Sequence, residues 1–138
     1  NQALSKRQRE STMNIDARHF PQVTLEYNAT LNLPMNEVLA QLSELIARDL
    51  PFAFIATGGL GEANADPEDH KKLSLWMKAN KPQIVKTIKG HVQIVEDAAG
   101  QAAAREFAPT FIKFWGYPML VAATAEEAQE KIGELLAA

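Results

Sequence analysis

Residues 52–56 read Phe-Ala-Phe-Ile-Ala, an unbroken apolar run. Successive side chains of a β-strand point to opposite faces, so a strand made of this run has no side to give to water. Such a strand belongs in a sheet covered by helices on both faces, the usual setting of parallel pairing.

The flanking patterns fit that setting. Val23, Leu25, Tyr27, Ala29, Leu31 and Leu33 alternate with polar residues, predicting a strand with one wet face that Pro34 closes. Val38, Leu39, Leu42, Leu45 and Ile46 fall at helical spacing within residues 35–48, and Asp49-Leu50-Pro51 ends that helix. Asp66-Pro67-Glu68-Asp69 opens a second helix, with Leu73, Trp76 and Met77 inward. Asn80-Lys81-Pro82 reads as a break, and Ile84, Val85 and Ile88 as a further short helix that Gly90 stops. His91-Val92-Gln93-Ile94-Val95 alternates as a strand. Asp97 caps a helix from Ala98, which Pro109 is expected to kink or divide. Tyr117–Ala122 is the last strand. Thr124, with Glu127 three residues on, makes a capping box for a helix running to about Leu136.

The order is βαβαβαβα. Helical connections of about ten or more residues imply parallel pairing and right-handed crossovers. The predicted fold is α/β, a single small, mostly parallel sheet of about four strands with helices packed on it. A chain of 138 residues, 46% hydrophobic and 22% charged, suits one globular domain. Residues 1–14, opening NQALSKRQREST, read as a disordered tail, with Met13 a candidate start, before a domain spanning 15–138. The opening has no signal-peptide shape, and the longest apolar stretches fall short of the ~20 residues of a membrane span, so the expected location is cytoplasmic.

The chemistry-bearing residues exclude more than they assign. There is no cysteine, which removes disulfides, thiolate metal sites and cysteine nucleophiles. His19, His70 and His91 have no metal-ligand spacing, and neither HExxH nor Gly-x-Ser-x-Gly occurs. Asp66 and His70 at i,i+4 read as a surface pair, and Glu96 with Asp97 as a strand exit and helix cap rather than a cation site. The sequence therefore calls for no cofactor and no metal, and an enzyme reading lacks a nameable nucleophile. The loop Thr57–Asp69, TGGLGEANADPED, looks like a phosphate cradle. It lacks the third glycine of a dinucleotide fingerprint and the Gly-Lys-Ser/Thr of a P-loop. Glu62, Asp66, Glu68 and Asp69 would also repel an anion, so it reads as a turn into a capped helix.

Charge is uneven. From His70 to Val95 there is no acid and there are six lysines, Lys71, Lys72, Lys78, Lys81, Lys86 and Lys89, while the rest of the chain carries a net excess of acid. The lysines share no obvious helical stripe and are not interleaved with exposed aromatics, which argues against nucleic acid. Lys78 and Lys89 are candidate contacts for an anionic head. Aromatics are also unevenly placed. Phe107, Phe111, Phe114 and Trp115 fall at i, i+4, i+7 and i+8, and Tyr117 follows. This cluster is the candidate binding element, either core, a partner or homodimer surface, or the wall of an apolar ligand pocket.

Five stretches together resemble the bacterial STAS-like (SpoIIAA-like) domains, in the variant grouped by fold with CRAL-TRIO lipid-transfer proteins. They are DARHFPQV (Asp16–Val23), LPFAFI (Leu50–Ile55), LWMKANK (Leu75–Lys81), KGHVQIV (Lys89–Val95) and YPMLVAATAEEAQ (Tyr117–Gln129). The resemblance covers roughly residues 15–137 and includes no catalytic signature. It implies a non-enzymatic domain that binds a protein partner, a second copy of itself, or a small ligand. Switch-type members carry a phosphorylatable serine at a strand exit. Thr57 and Asp97 stand at the comparable exits here and Ser74 lies within a helix, so that role does not carry over. The leading expectation is protein binding or homodimerisation through helix 98–115. The alternative is a carrier of a small apolar or amphipathic, lipid-like molecule held between that helix and the sheet.

Overall fold

The computed structural model describes residues 13–27, 34–57 and 67–137. They form strands β1 (Met13–Asp16), β2 (Gln22–Tyr27), β3 (Phe52–Thr57), β4 (Ile88–Ile94) and β5 (Met119–Ala122). The helices are α1 (Met35–Ala47), α2 (Pro67–Thr87), α3 (Ala98–Trp115) and α4 (Ala125–Ala137). The sheet runs β1-β2-β3-β4-β5, with β1 antiparallel to β2 and the other three pairings parallel.

The apolar run is the central strand β3, buried from Phe52 to Ala56. Phe52, Phe54 and Ala56 face α1, α2 and α3, which bring Val38, Leu42, Ile46, Met77, Ile84 and Phe111 into the larger core. Ala53 and Ile55 face α4, where Ala128 and Ile132 pack with Val92 and Ala122. Gly90 allows α4 to lie close, since a Cβ there would stand 2.7 Å from Leu135 Cδ1 and 3.3 Å from the Pro118 carbonyl.

Several expectations change. The sheet has five strands, not four. Met13 and Asn14, read as tail, are in β1, a four-residue strand too short to show an alternation. The first predicted strand is formed from Gln22 to Tyr27, and residues 28–33, with Ala29, Leu31 and Leu33, lie outside the described residues, as does the glycine loop at 58–66. The last strand starts at Met119 rather than Tyr117.

Neither internal proline divides its helix. Proline removes one backbone donor, but side-chain bonds, one within the helix and two to neighbouring helices, hold the chain on both sides of Pro82. The Asn80 side-chain amide donates to the Trp76 carbonyl (2.9 Å) and the Lys81 ammonium to the Phe114 carbonyl (2.8 Å). The Gln83 amide donates to the Ile46 carbonyl (2.9 Å). The last two partners are carbonyls in the final turns of α3 and α1, which lack partners within their own helices. Beside Pro109, buried Phe111 anchors α3. The caps form as expected. Asp97 accepts from the Gly100 N–H (2.7 Å), and at the start of α4 Thr124 Oγ1 accepts from the Glu127 N–H (3.1 Å) while the Glu127 carboxylate accepts from the Ala123 N–H (2.9 Å).

Gly116 ends α3 at φ +91°, and its N–H donates to the Ile112 carbonyl. A Cβ there would lie 2.7 Å from Val85 Cγ2. Gly116→Ala should therefore cost more than about 1 kcal/mol in urea unfolding. Gly133→Ala, where a Cβ meets nothing within 4 Å of a helical position, should raise stability by roughly 0.5–1 kcal/mol. Equal effects at the two positions would contradict the cap.

Candidate functional site

The sheet register brings a line of side chains together beneath the three helices. Val23, Phe54, His91 and Met119 are neighbours across β2, β3, β4 and β5. Between Phe52 and Ala53 the pairing slips. Phe52 opposes Ile88 but Ala53 opposes Gly90, so Lys89 is an extra residue on β4. A bulge of this kind re-aims side chains. It puts Ile88 and His91, three residues apart, on one face.

Over that face lies a cleft. Phe54, Ile88 and His91 form its floor, α1 contributes Leu42, and β2 contributes Leu25. Leu73 and Trp76 of α2 close one side, and Phe111, Trp115 and Tyr117 the other. Its volume is about 430 Å³ counted to the open mouth, with about 40 Å³ of free interior. The Trp76 N–H donates to Ser43 Oγ (2.8 Å), which fixes that wall to α1. The opposite wall is ring on ring. Phe111 meets Tyr117 edge-on at 5.5 Å, Trp115 lies 5.9 Å from Tyr117, and His91 lies 5.1 Å from Phe111. Such pairs add about 0.5–1.5 kcal/mol each beyond their buried area.

His91 is 1% exposed. Burial penalises its cation and pulls its pKa from 6.5 to about 4, partly opposed by a hydrogen bond to Gln93. His91 Nε2 and Gln93 Oε1 are 2.9 Å apart. An amide oxygen only accepts, so Nε2 carries the proton of the neutral ring and Nδ1 is left as a lone pair. Among the described residues Nδ1 has no hydrogen-bond partner.

Three residues of the aromatic cluster, Phe111, Trp115 and Tyr117, line this cleft. Phe107, in contrast, is 42% exposed, and Phe114 is half-buried against the core. Neither Lys78 nor Lys89 lines the cleft. Lys78 is exposed on α2, and the Lys89 ammonium donates to the Lys86 carbonyl (3.2 Å). Lys86 pairs with Asp49 at 2.9 Å. Asp49, at φ 57°, ends α1 and is held below the usual carboxylate range by Lys86 and Gln83. Part of the lysine run therefore joins helices. Arg18 beside Asp16 and Arg48 beside Glu44 depress those carboxyls in the same way. In the sequence His91 has no metal-ligand partner, and its i,i+2 spacing from Gln93 on a strand is the signal that pairs the two side chains. Among the described residues no group of His, Asp and Glu could hold a metal ion, and no helix is long and apolar enough to cross a membrane.

The chain matches no protein-family profile, no curated protein and no solved structure.

The buried histidine makes stability pH-dependent with a definite sign. His91 in the unfolded chain takes a proton near pH 6.5, and in the folded protein only near 4, so its contribution is full above 6.5 and is lost as pH falls toward 4. Between pH 7 and pH 5 the loss should be about 2 kcal/mol in denaturant titrations. His91→Leu should remove most of that slope. An unchanged slope in the variant would place the titration elsewhere.

Proposed function

We propose that this chain is a binding domain of the STAS-like class that holds a small apolar molecule in the cleft between α3 and the sheet. The observation that carries the reading is the cleft itself, an apolar concavity with one buried polar group on its floor, the form that small-molecule sites commonly take. Its free interior is small, so the ligand is small or leaves most of its body in the mouth. The STAS-like assignment is supported by the five stretches quoted above.

The chain's two tryptophans, Trp76 and Trp115, both line the cleft, so their fluorescence reports occupancy directly. Toluene or benzyl alcohol should produce a saturable change at millimolar concentration or below. Leu73→Phe, which fills the side of the cleft next to Trp76 from a half-buried position, should weaken it about tenfold. A flat response to both compounds, with no small molecule retained in native mass spectrometry of the purified protein, rejects this function.

A second reading, association with a protein or a second copy through the outer side of α3, has one supporting observation. Phe107 and Ile112 are 42% and 45% exposed. Under that reading the protein self-associates in light scattering, and Phe107→Asp with Ile112→Asp returns it to monomer without loss of stability. Phe111→Asp is unsuitable as a probe, because Phe111 is buried and the change would test the core.

A further inference from the structure

The polar atoms of the cleft restrict what it can hold, and this inference rests on the ligand-binding reading above. Among the described residues, no lysine, arginine, aspartate or glutamate lines the cleft. A carboxylate placed there would lose its hydration without a cation to replace it, and an ammonium would find no carboxylate. The Trp76 N–H is already donated to Ser43, and the His91 N–H faces Gln93. The Trp115 N–H has no partner among the described residues, but one neutral donor does not offset a buried anion.

The Tyr117 hydroxyl also lines the cleft but is not free, and the polar group that remains on the floor is an acceptor. His91 is almost wholly buried, its ring lies between Phe54 and Phe111, and its Nδ1 lone pair has no partner among the described residues. A buried polar atom of this kind calls for an occupant. The 40 Å³ interior supplies the size. At about 10–15 Å³ for each water-sized group, it admits a hydroxyl and the carbon bearing it, but not a ring.

We propose that the ligand is a small neutral alcohol with an apolar body, bound with its hydroxyl donating to His91 Nδ1 and its body lying in the outer cleft against Trp76 and Trp115. The hydroxyl proton fills the unused acceptor. The body covers aromatic wall that is otherwise open at the mouth.

The test uses the full chain at pH 7 and follows tryptophan fluorescence. Benzyl alcohol, benzyl methyl ether and benzoate share a body but differ in head group. The alcohol can donate, the ether only accepts, and benzoate is charged. Benzyl alcohol should saturate, the ether should bind about tenfold more weakly, and benzoate should not saturate. In His91→Leu, with folding checked by circular dichroism, the alcohol and the ether should converge. If that variant does not fold, the comparison of the two ligands in the unaltered protein decides the matter. An ether that binds as tightly as the alcohol overturns the donor assignment and leaves the cleft a binding site. Benzoate binding more tightly than the alcohol overturns neutrality. A preference for the alcohol that survives in folded His91→Leu removes His91 from the site. No saturation with any of the three means that Nδ1 meets only water and overturns this inference, while the ligand-binding reading stands or falls with toluene and native mass spectrometry.

Discussion

Strand β3 has no wet face, and the arrangement of the other elements follows from keeping it dry. Its neighbours β2 and β4 are parallel to it, which requires crossovers that pass over a face of the sheet. The strands are laid down in chain order, and crossovers of one hand then all fall on the same side. That places α1, α2 and α3 together over Phe52, Phe54 and Ala56. Only α4, with no described strand after it, is free of this constraint, and it covers the other side. The two faces differ in consequence. The face under three helices holds large rings, while the face under α4 uses Ala53, Gly90, Ala122 and Ala128 and packs close.

The crowded face also carries the polar exceptions. Among the described residues His91, Gln93 and Thr87 are the buried polar ones, and all three are hydrogen-bonded within a few residues of chain. Thr87 returns to the Gln83 carbonyl at the end of α2. His91 and Gln93 use each other, which is the local solution available to side chains two apart on one strand face. Burial on this scale is costly for an imidazole and keeps it neutral. The ring then acts as a hydrogen-bonding group of fixed polarity rather than as a charge.

The polar side chains at helix ends have a different task. Lys81 at the end of α3, Gln83 and Lys86 at the end of α1, and Ser43 under Trp76 all join neighbouring helices on the same layer. Cations near a helix C-terminus gain from its free carbonyls and dipole. This accounts for part of an acid-free, lysine-rich segment without any anionic partner. Lys71, Lys72 and Lys78 remain on the exposed surface.

Periodicity was enough to read β3, α1, the caps at Asp97 and Thr124, and the aromatic spacing of α3 from sequence, because each depends on residues close along the chain. Other features depended on distant partners. Prolines 82 and 109 look like breaks, yet bonds from Lys81 and Gln83 to other helices and the burial of Phe111 hold continuous helices through them. Ile88 continues a helical pattern but enters β4, where the pairing with Phe52 claims it. Strand β1 is invisible alone because its partner supplies its reason to exist. The local pattern thus determined an α/β chain with a double-faced central strand and an aromatic helix. The tertiary structure decided that Phe111, Trp115 and Tyr117 turn inward to a cleft while Phe107 stays out, and that His91 and Gln93 lie beneath it. Alternation says which residues share a face. Whether that face meets water or a helix is set by elements far away in the chain.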